Sequence, residues 1–103
     1  MEPLGRRVVR VKVRMMGPLR EASGRSEEEL NLTGDVYVSS AIQELVLGHG
    51  EEFKEILLDS FTRNPTTNTL ILLNGVEISN IKGVDTPLDD GDQIVLIPVT
   101  HGG

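Results

Sequence analysis

Apolar and basic residues alternate along the first part of the chain, from Val8 to Met16. A period of two is typical of a strand with one face in the core and the other in solvent. The pattern places Val9, Val11, Val13 and Met15 inward and Arg10, Lys12 and Arg14 outward. Gly17-Pro18 ends this strand, and the residues up to Gly24 predict a short helical turn closed by glycine.

The next elements alternate less clearly and include the main helix. Glu28 to Leu32 predicts a second strand, with both of its leucines inward. Ser40 and Gln43 have the spacing of a capping box at a helix start, and Gly48 is the predicted end of that helix. Between them, one apolar stripe recurs at helical spacing: Ala41, Ile42, Leu45 and Val46.

A second, shorter helix is predicted from about Glu51. Two acidic residues at its start suit the positive end of a helix dipole, and apolar residues recur along one face. These residues are Phe53, Ile56, Leu57 and Phe61. The polar segment from Asn64 to Asn68 is a predicted loop.

The C-terminal part of the chain predicts three more strands. Thr69 to Leu73 is the first, and the Asn74-Gly75 pair after it is a strong signal for a type I′ hairpin turn. Val76 to Ser79 is the predicted return strand, residues 81–88 are irregular, and Gln93 to Val99 is the last strand. The whole order predicts one α+β domain, in which a helix covers a five-stranded sheet.

Composition excludes several kinds of chemistry. The chain has no cysteine, so it cannot form a disulfide, use a thiolate nucleophile or bind a metal through sulfur. His49 and His101 lie far apart, and we expect no metal site at either. The acidic residues from Asp85 to Asp92 lack the alternating spacing of a calcium loop. We therefore expect neither a catalytic side chain nor a bound metal or cofactor.

Charge is unevenly distributed around a formal net charge of −6. Most lysines and arginines lie before residue 26, and the remainder of the chain is strongly acidic. An acidic body repels nucleic acid and favours a basic protein partner. The sequence has no apolar run long enough to span a membrane and no secretory signal. We expect a cytoplasmic protein that binds neither membrane nor nucleic acid directly.

The strongest candidate for chemistry is the C-terminal pair Gly102-Gly103. Glycine has no Cβ, so a flexible tail of this kind can lie extended in a channel too narrow for other residues. The terminal carboxylate has a pKa of about 3.5 and is a poor electrophile at neutral pH. Activation by a partner enzyme, for instance as an acyl-adenylate, would make the glycyl carbonyl reactive towards sulfur or an amine. Such a protein needs no catalytic side chain of its own.

Three stretches resemble the MoaD/ThiS group of ubiquitin-like sulfur carriers. Residues 11–24 are similar to the first strand and following turn of that group, and residues 70–75 to its central strand and Asn-Gly turn. Residues 83–98 are similar to its approach to a terminal Gly-Gly. A histidine before Gly-Gly, as at His101, resembles the ubiquitin-related modifiers. The resemblance covers nearly the whole chain beyond residue 7.

The resemblance implies a β-grasp fold over residues 8–99, an N-terminal extension at residues 1–7 and a flexible tail at residues 100–103. It implies that an E1-like enzyme uses ATP to adenylate Gly103, which then becomes a thiocarboxylate. The sulfur would pass to a pterin precursor in the large subunit of molybdopterin synthase, or into tRNA. Alternatively, Gly103 would be joined to lysines of target proteins, or the chain is a plain interaction domain with an incidental Gly-Gly.

Two strands, Leu70–Leu73 and Ile94–Ile97, are apolar on both faces. By the ubiquitin-like pattern, Ile71, Leu73, Ile94 and Leu96 point inward. The outward residues are then Leu70, Leu72, Val95 and Ile97, and we predict that these residues and His101 bind the activating enzyme. The alternative is that both strands only reflect the β-propensity of their residues.

Overall fold

The computed structural model describes residues 7–58 and 69–99. Its strands and α-helices are β1 (Val8–Met15), α1 (Gly17–Ser23), β2 (Glu27–Thr33), α2 (Val38–His49), α3 (Glu51–Leu57), β3 (Thr69–Leu73), β4 (Val76–Glu77) and β5 (Gln93–Pro98). Two 3-10 turns, Ile78–Asn80 and Gly83–Asp85, lie between β4 and β5. The predicted α+β class and the predicted order of the elements are both confirmed.

The five strands form one mixed sheet in the order β2-β1-β5-β3-β4. Neighbouring strands are antiparallel except for β1 and β5, which are parallel. The last strand therefore lies at the centre of the sheet, between the first strand and the β3-β4 hairpin. This topology, with helices on one face, is the β-grasp fold.

The core lies between one face of the sheet and the helices. Alternate residues of β1, β3 and β5 are buried, as the period of two predicted. The aromatic residue of this core is Phe53 of α3, which is fully buried. The other buried helical residues are aliphatic: Leu19, Val38, Ala41, Ile42, Leu45 and Leu57. Burial of each large aliphatic side chain contributes about 1.5–3 kcal/mol.

Helix α2 begins earlier and ends later than the sequence predicted. It starts at Val38, so Ser40 lies in its first turn, where the hydroxyl accepts a hydrogen bond from the Tyr37 backbone N–H at 3.0 Å. The predicted capping box starting at Ser40 is therefore wrong. The predicted stop at Gly48 is also wrong, because the chain leaves the helix at Gly50, whose φ of 89° is accessible to glycine.

The predicted return strand from Val76 to Ser79 is too long. The Asn74-Gly75 turn has φ values of 50° and 87°, as a type I′ turn requires, but strand pairing ends at Glu77. The Glu77 carboxylate accepts hydrogen bonds from the backbone N–H and the hydroxyl of Ser79 at 2.6 and 2.7 Å. These local bonds start a 3-10 turn that buries Ile78 in the core.

Several sequence predictions fall outside the described residues. The N-terminal extension is one of them, since Arg7 is its only described residue. The others are Phe61 on the face of the second helix, the loop from Asn64 to Asn68, and the tail with His101, Gly102 and Gly103. They stay predictions.

Candidate functional site

Strands β3 and β5 pair so that their outward side chains lie side by side. Leu70 is opposite Ile97, and Leu72 is opposite Val95. Their inward neighbours, Ile71, Leu73, Ile94 and Leu96, are at most 7% exposed. Leu70 is 37% exposed, and the other three outward residues are half-buried. The predicted orientation of both strands is therefore confirmed.

Two residues extend this apolar surface beyond the predicted set. The Met16 backbone N–H donates to the Leu96 carbonyl at 3.2 Å, which continues the parallel β1-β5 pairing past Met15 and places Met16 beside Ile97. Met16 is 46% exposed and Val99 is 44% exposed. The six residues form what we call the outer patch: Met16, Leu70, Leu72, Val95, Ile97 and Val99.

The sequence carried a signal for Met16 that the prediction did not use. Met16 has the same parity as Arg10, Lys12 and Arg14, so it lies on the outward face of β1. Recognising it as part of the outer patch required the β1-β5 pairing, which joins residues that are distant in sequence.

Charged residues border the outer patch on both sides. The strand registers place Arg14 beside Val95, and Glu77 beside Leu72, in one row across the sheet. Lys12 lies on the same face as Arg14, and neither forms an ion pair among the described residues. Hydrogen bonds from Ser79 lower the pKa of the Glu77 carboxyl. The outer patch is thus apolar with cations on its β1 side and a carboxylate on its β4 side.

The turn before β5 is fixed to its neighbours by side-chain hydrogen bonds. The Arg10 guanidinium donates to both carboxylate oxygens of Asp90 at 3.0 Å, and the Arg10 backbone N–H donates to Oδ1 at 2.8 Å. These bonds lower the pKa of Asp90 to about 2. The Asn74 side chain accepts from the Gln93 backbone N–H at 2.9 Å and donates to Asp92 at 3.0 Å. The start of β5 is therefore held in register from both sides.

His49 packs against the side chains of two neighbouring elements. The Nε2 atom of His49 lies 2.6 Å from a carboxylate oxygen of Glu28, and its ring lies 4.7 Å from the ring of Phe53. Within residues 7–58 and 69–99, no group of three or more acidic or histidine side chains is placed to hold a metal ion. His101 lies outside the described residues.

Strand β5 leads from the outer patch towards the C-terminus. It ends at Pro98, and Val99 is the last residue described. The predicted reactive residues, Gly102 and Gly103, follow closely in the sequence but lie outside the described part of the chain. The structure thus brings together four of the five predicted partner-binding residues, and these lie on β5 and on its neighbour β3.

The model of the ThiS family matches residues 13–103, which is most of the chain and includes both terminal glycines. The chain belongs to the ThiS family. Members of this family are ubiquitin-like sulfur carriers, so the predicted relationship is confirmed. No curated protein matches the sequence of this ThiS-family chain.

Solved structures agree with the family and the fold. The HVO 2177 protein of Haloferax volcanii is 22% identical with a TM-score of 0.79, over 100% of this ThiS-family chain and 92% of that chain. Small archaeal modifier protein 1 of Methanosarcina acetivorans is 28% identical with a TM-score of 0.74, over 94% and 99% of the two chains. A candidate molybdopterin converting factor, subunit 1, from Pyrococcus furiosus is 29% identical with a TM-score of 0.72, over 89% and 99%.

None of the helices in the described parts of this ThiS-family chain has the length and apolar character needed to cross a membrane.

Proposed function

We propose that this protein is a sulfur carrier whose C-terminal glycine, Gly103, is adenylated by an E1-like enzyme and converted to a thiocarboxylate. The observation that carries the proposal is the family match, which extends through Gly102 and Gly103. The activating enzyme would use ATP, and the chain itself would serve as a co-substrate rather than as a catalyst. The acceptor of the sulfur would be a pterin precursor in the large subunit of molybdopterin synthase. Similarity to a candidate molybdopterin converting factor subunit supports this acceptor.

The outer patch supports a proposal for how the activating enzyme would bind this protein. An exposed apolar surface is unfavourable in water unless a partner covers it. Here it lies on the strand that leads to Gly103, so an enzyme that covers Leu70, Leu72, Val95 and Ile97 would also receive the tail. Because glycine lacks a side chain, the last two residues could enter a narrow active site. His101, directly before them, would line the entrance to that site.

Similarity to a small archaeal modifier protein favours a second candidate function. In this function the activated Gly103 carbonyl would be attacked by the amine of a target lysine, which gives an isopeptide bond and releases the activating group. The two functions share the activation step and differ in the nucleophile that follows. One protein could serve both, including a route to thiolated tRNA.

Intact-mass measurement separates these functions. The full chain would be incubated with its activating enzyme, ATP and a sulfur donor, and the same measurement made on protein from its own cells. A carrier gains the mass difference between sulfur and oxygen at its terminus. A modifier appears in larger conjugates that leave a Gly-Gly remnant on lysine after proteolysis. If neither product forms while the enzyme is active on another family member, the proposal is wrong.

Two variants of the terminus provide the matched controls. Removal of Gly103, or addition of one alanine after it, should abolish both products, because the reactive carboxylate is then missing or misplaced. The free energy of unfolding should change by less than about 0.5 kcal/mol, because a tail contributes little buried surface. Full activity of the extended chain, without trimming by a protease, would contradict the proposal.

A further inference from the structure

The two edges of the sheet differ in how much backbone they expose. Strand β4 forms one edge with two residues, whereas β2 forms the other with seven, Glu27–Thr33. An exposed edge of that length can accept a further strand from another chain. Among residues 7–58 and 69–99, no strand pairs with the outer side of β2.

The hydrogen-bond pattern identifies the backbone groups at the β2 edge. The Met15 N–H donates to the Ser26 carbonyl at 2.9 Å, and the Gly34 N–H donates to the Arg7 carbonyl at 2.8 Å. Hydrogen-bonded and non-hydrogen-bonded pairs alternate in an antiparallel ladder. The backbone N–H and C=O groups of Glu28, Leu30 and Leu32 therefore bond to β1. The N–H and C=O groups that point away from the sheet belong to Glu27, Glu29, Asn31 and Thr33.

A groove lies at the C-terminal end of this edge, between residues 31–33 of β2 and helix α2. Its buried lining residues are Leu32 and Val36. Its other lining residues include Asp35, Gln43 and Glu44, which are exposed. Where it passes this groove, a strand added to β2 would direct every second side chain into it and the others onto the outer face of the sheet.

The exposed side chains of β2 and of the groove include four acidic residues. Glu27 and Glu29 project from the exposed outer face of β2, and the groove adds Asp35 and Glu44. The sequence has no lysine or arginine between Ser26 and Glu44. On β1, Lys12 lies directly opposite Glu29 and Arg14 directly opposite Glu27, although neither pair is within ion-pair distance. Basic β1 and acidic β2 thus alternate in charge across the sheet, and an added basic strand would continue that alternation. A second copy of the chain would bring a strand of the same charge, which disfavours pairing of two β2 edges.

We propose that β2 binds an extended basic segment of a partner protein, which pairs with the edge as an additional strand. Backbone bonds to Glu29 and Asn31 would supply the register, and lysine or arginine side chains would lie beside Glu27 and Glu29. This surface is on the opposite side of β1 from the outer patch. The interaction is therefore independent of the proposed chemistry at Gly103.

The probe for this site is a heptapeptide of alternating lysine and valine, added to the isotope-labelled full chain. We expect saturable chemical-shift changes in Glu27–Thr33 and in the α2 residues that line the groove. The amides of Glu29 and Asn31 should gain protection from hydrogen exchange. Binding should weaken as salt is raised, because exposed charges are screened.

Three controls make the assignment specific. The same peptide N-methylated on alternate residues keeps its charge but cannot pair with an edge, so it should not bind. The double variant Glu27→Gln and Glu29→Gln should bind the unmodified peptide about 2- to 10-fold more weakly, as expected for two exposed ion pairs. The variant Leu72→Asp, on the outer patch, should bind it normally.

Three results would overturn the proposal. The first is equal binding of the N-methylated peptide, and the second is a set of shifts spread over the outer patch instead of β2. The third is a dimer that forms through β2 in the absence of any peptide, since the edge would then belong to a second copy.

Discussion

The two faces of strands β3 and β5 carry the same types of residue and have different consequences. The inward residues Ile71, Leu73, Ile94 and Leu96 are removed from water by folding itself. The outward residues of the same strands stay partly in water and can be removed from it only by a partner. Composition therefore cannot separate the residues that form the core from the residues that stay available for contact with a partner. The position of each residue in the ladder does.

The largest effect on stability should come from the inward face. The variant Leu96→Ala should lower the free energy of unfolding by about 2–5 kcal/mol, because it leaves a cavity beside the helices. Its neighbour Val95 provides the control, since Val95→Ala removes a half-buried side chain and should cost less than about 1 kcal/mol. Urea unfolding measures both values. Equal losses would mean that the two faces do not differ in the way described.

The outward face should give the opposite result. The variant Leu72→Asp should reduce the rate of adenylation by the proposed activating enzyme about tenfold or more, because it places a second carboxylate within the outer patch, beside Glu77. The domain should remain folded. Leu47 is the matched control, because it is 78% exposed on α2, in the helical layer. If Leu47→Asp reduces activation as much as Leu72→Asp does, the outer patch is not the recognition surface.

A smaller effect is expected at the margin of the outer patch. The variant Met16→Lys should reduce activation by less than about fivefold, because residues at the rim of an interface contribute less than those at its centre. Val8 is exposed on the same face of β1 at the far end of the strand. The control Val8→Lys should therefore leave activation unchanged. An effect at Val8 but not at Met16 would place the enzyme elsewhere on the sheet.

The smallest effect concerns the ion pair between Arg10 and Asp90, and it is measured as the dependence of stability on pH. The Asp90 carboxyl has a pKa of about 2, below its usual 3.8, because of hydrogen bonds from Arg10. A lowered pKa in the folded state stabilises the fold above the unfolded value, and that contribution is lost as pH falls from about 4 to 2. The urea midpoint of Asp90→Asn should be lower at neutral pH and should approach the wild-type midpoint near pH 2. A constant difference between the two proteins would contradict the assignment.

Much of the fold could be predicted from local patterns. Alternation predicted β1, and Asn74-Gly75 predicted the hairpin, because these signals depend on neighbouring residues only. The inward faces of β3 and β5, which are apolar on both sides, came from the resemblance to ubiquitin-like proteins. The start of α2 was missed because Ser40 fits both a capping position and the first helical turn. The sequence predicts its end at Gly48, although Gly50 occupies the position with positive φ.

The candidate site was predictable only in part, because some of its residues come together through pairing of strands that are distant in sequence. The resemblance to ubiquitin-like proteins selected Leu70, Leu72, Val95 and Ile97, since β3 and β5 are apolar on both faces and their own pattern does not choose between them. Met16 joins them only through the parallel pairing of β1 with β5, which spans most of the chain. A single sequence does not encode such a long-range pairing in any local pattern. The border of Arg14 and Glu77 was missed because it depends on the register of several strands at once.

The central position of β5 has a consequence for how the protein is made. During synthesis the chain emerges from its N-terminus, so the strand that joins the β1-β2 and β3-β4 hairpins appears after all of them. A nascent chain that stops before Gln93 holds two separate hairpins without the strand that connects them, and isolated hairpins are only marginally stable. Truncated products should therefore remain unfolded and open to proteolysis. Translation through β5 is thus a condition for folding.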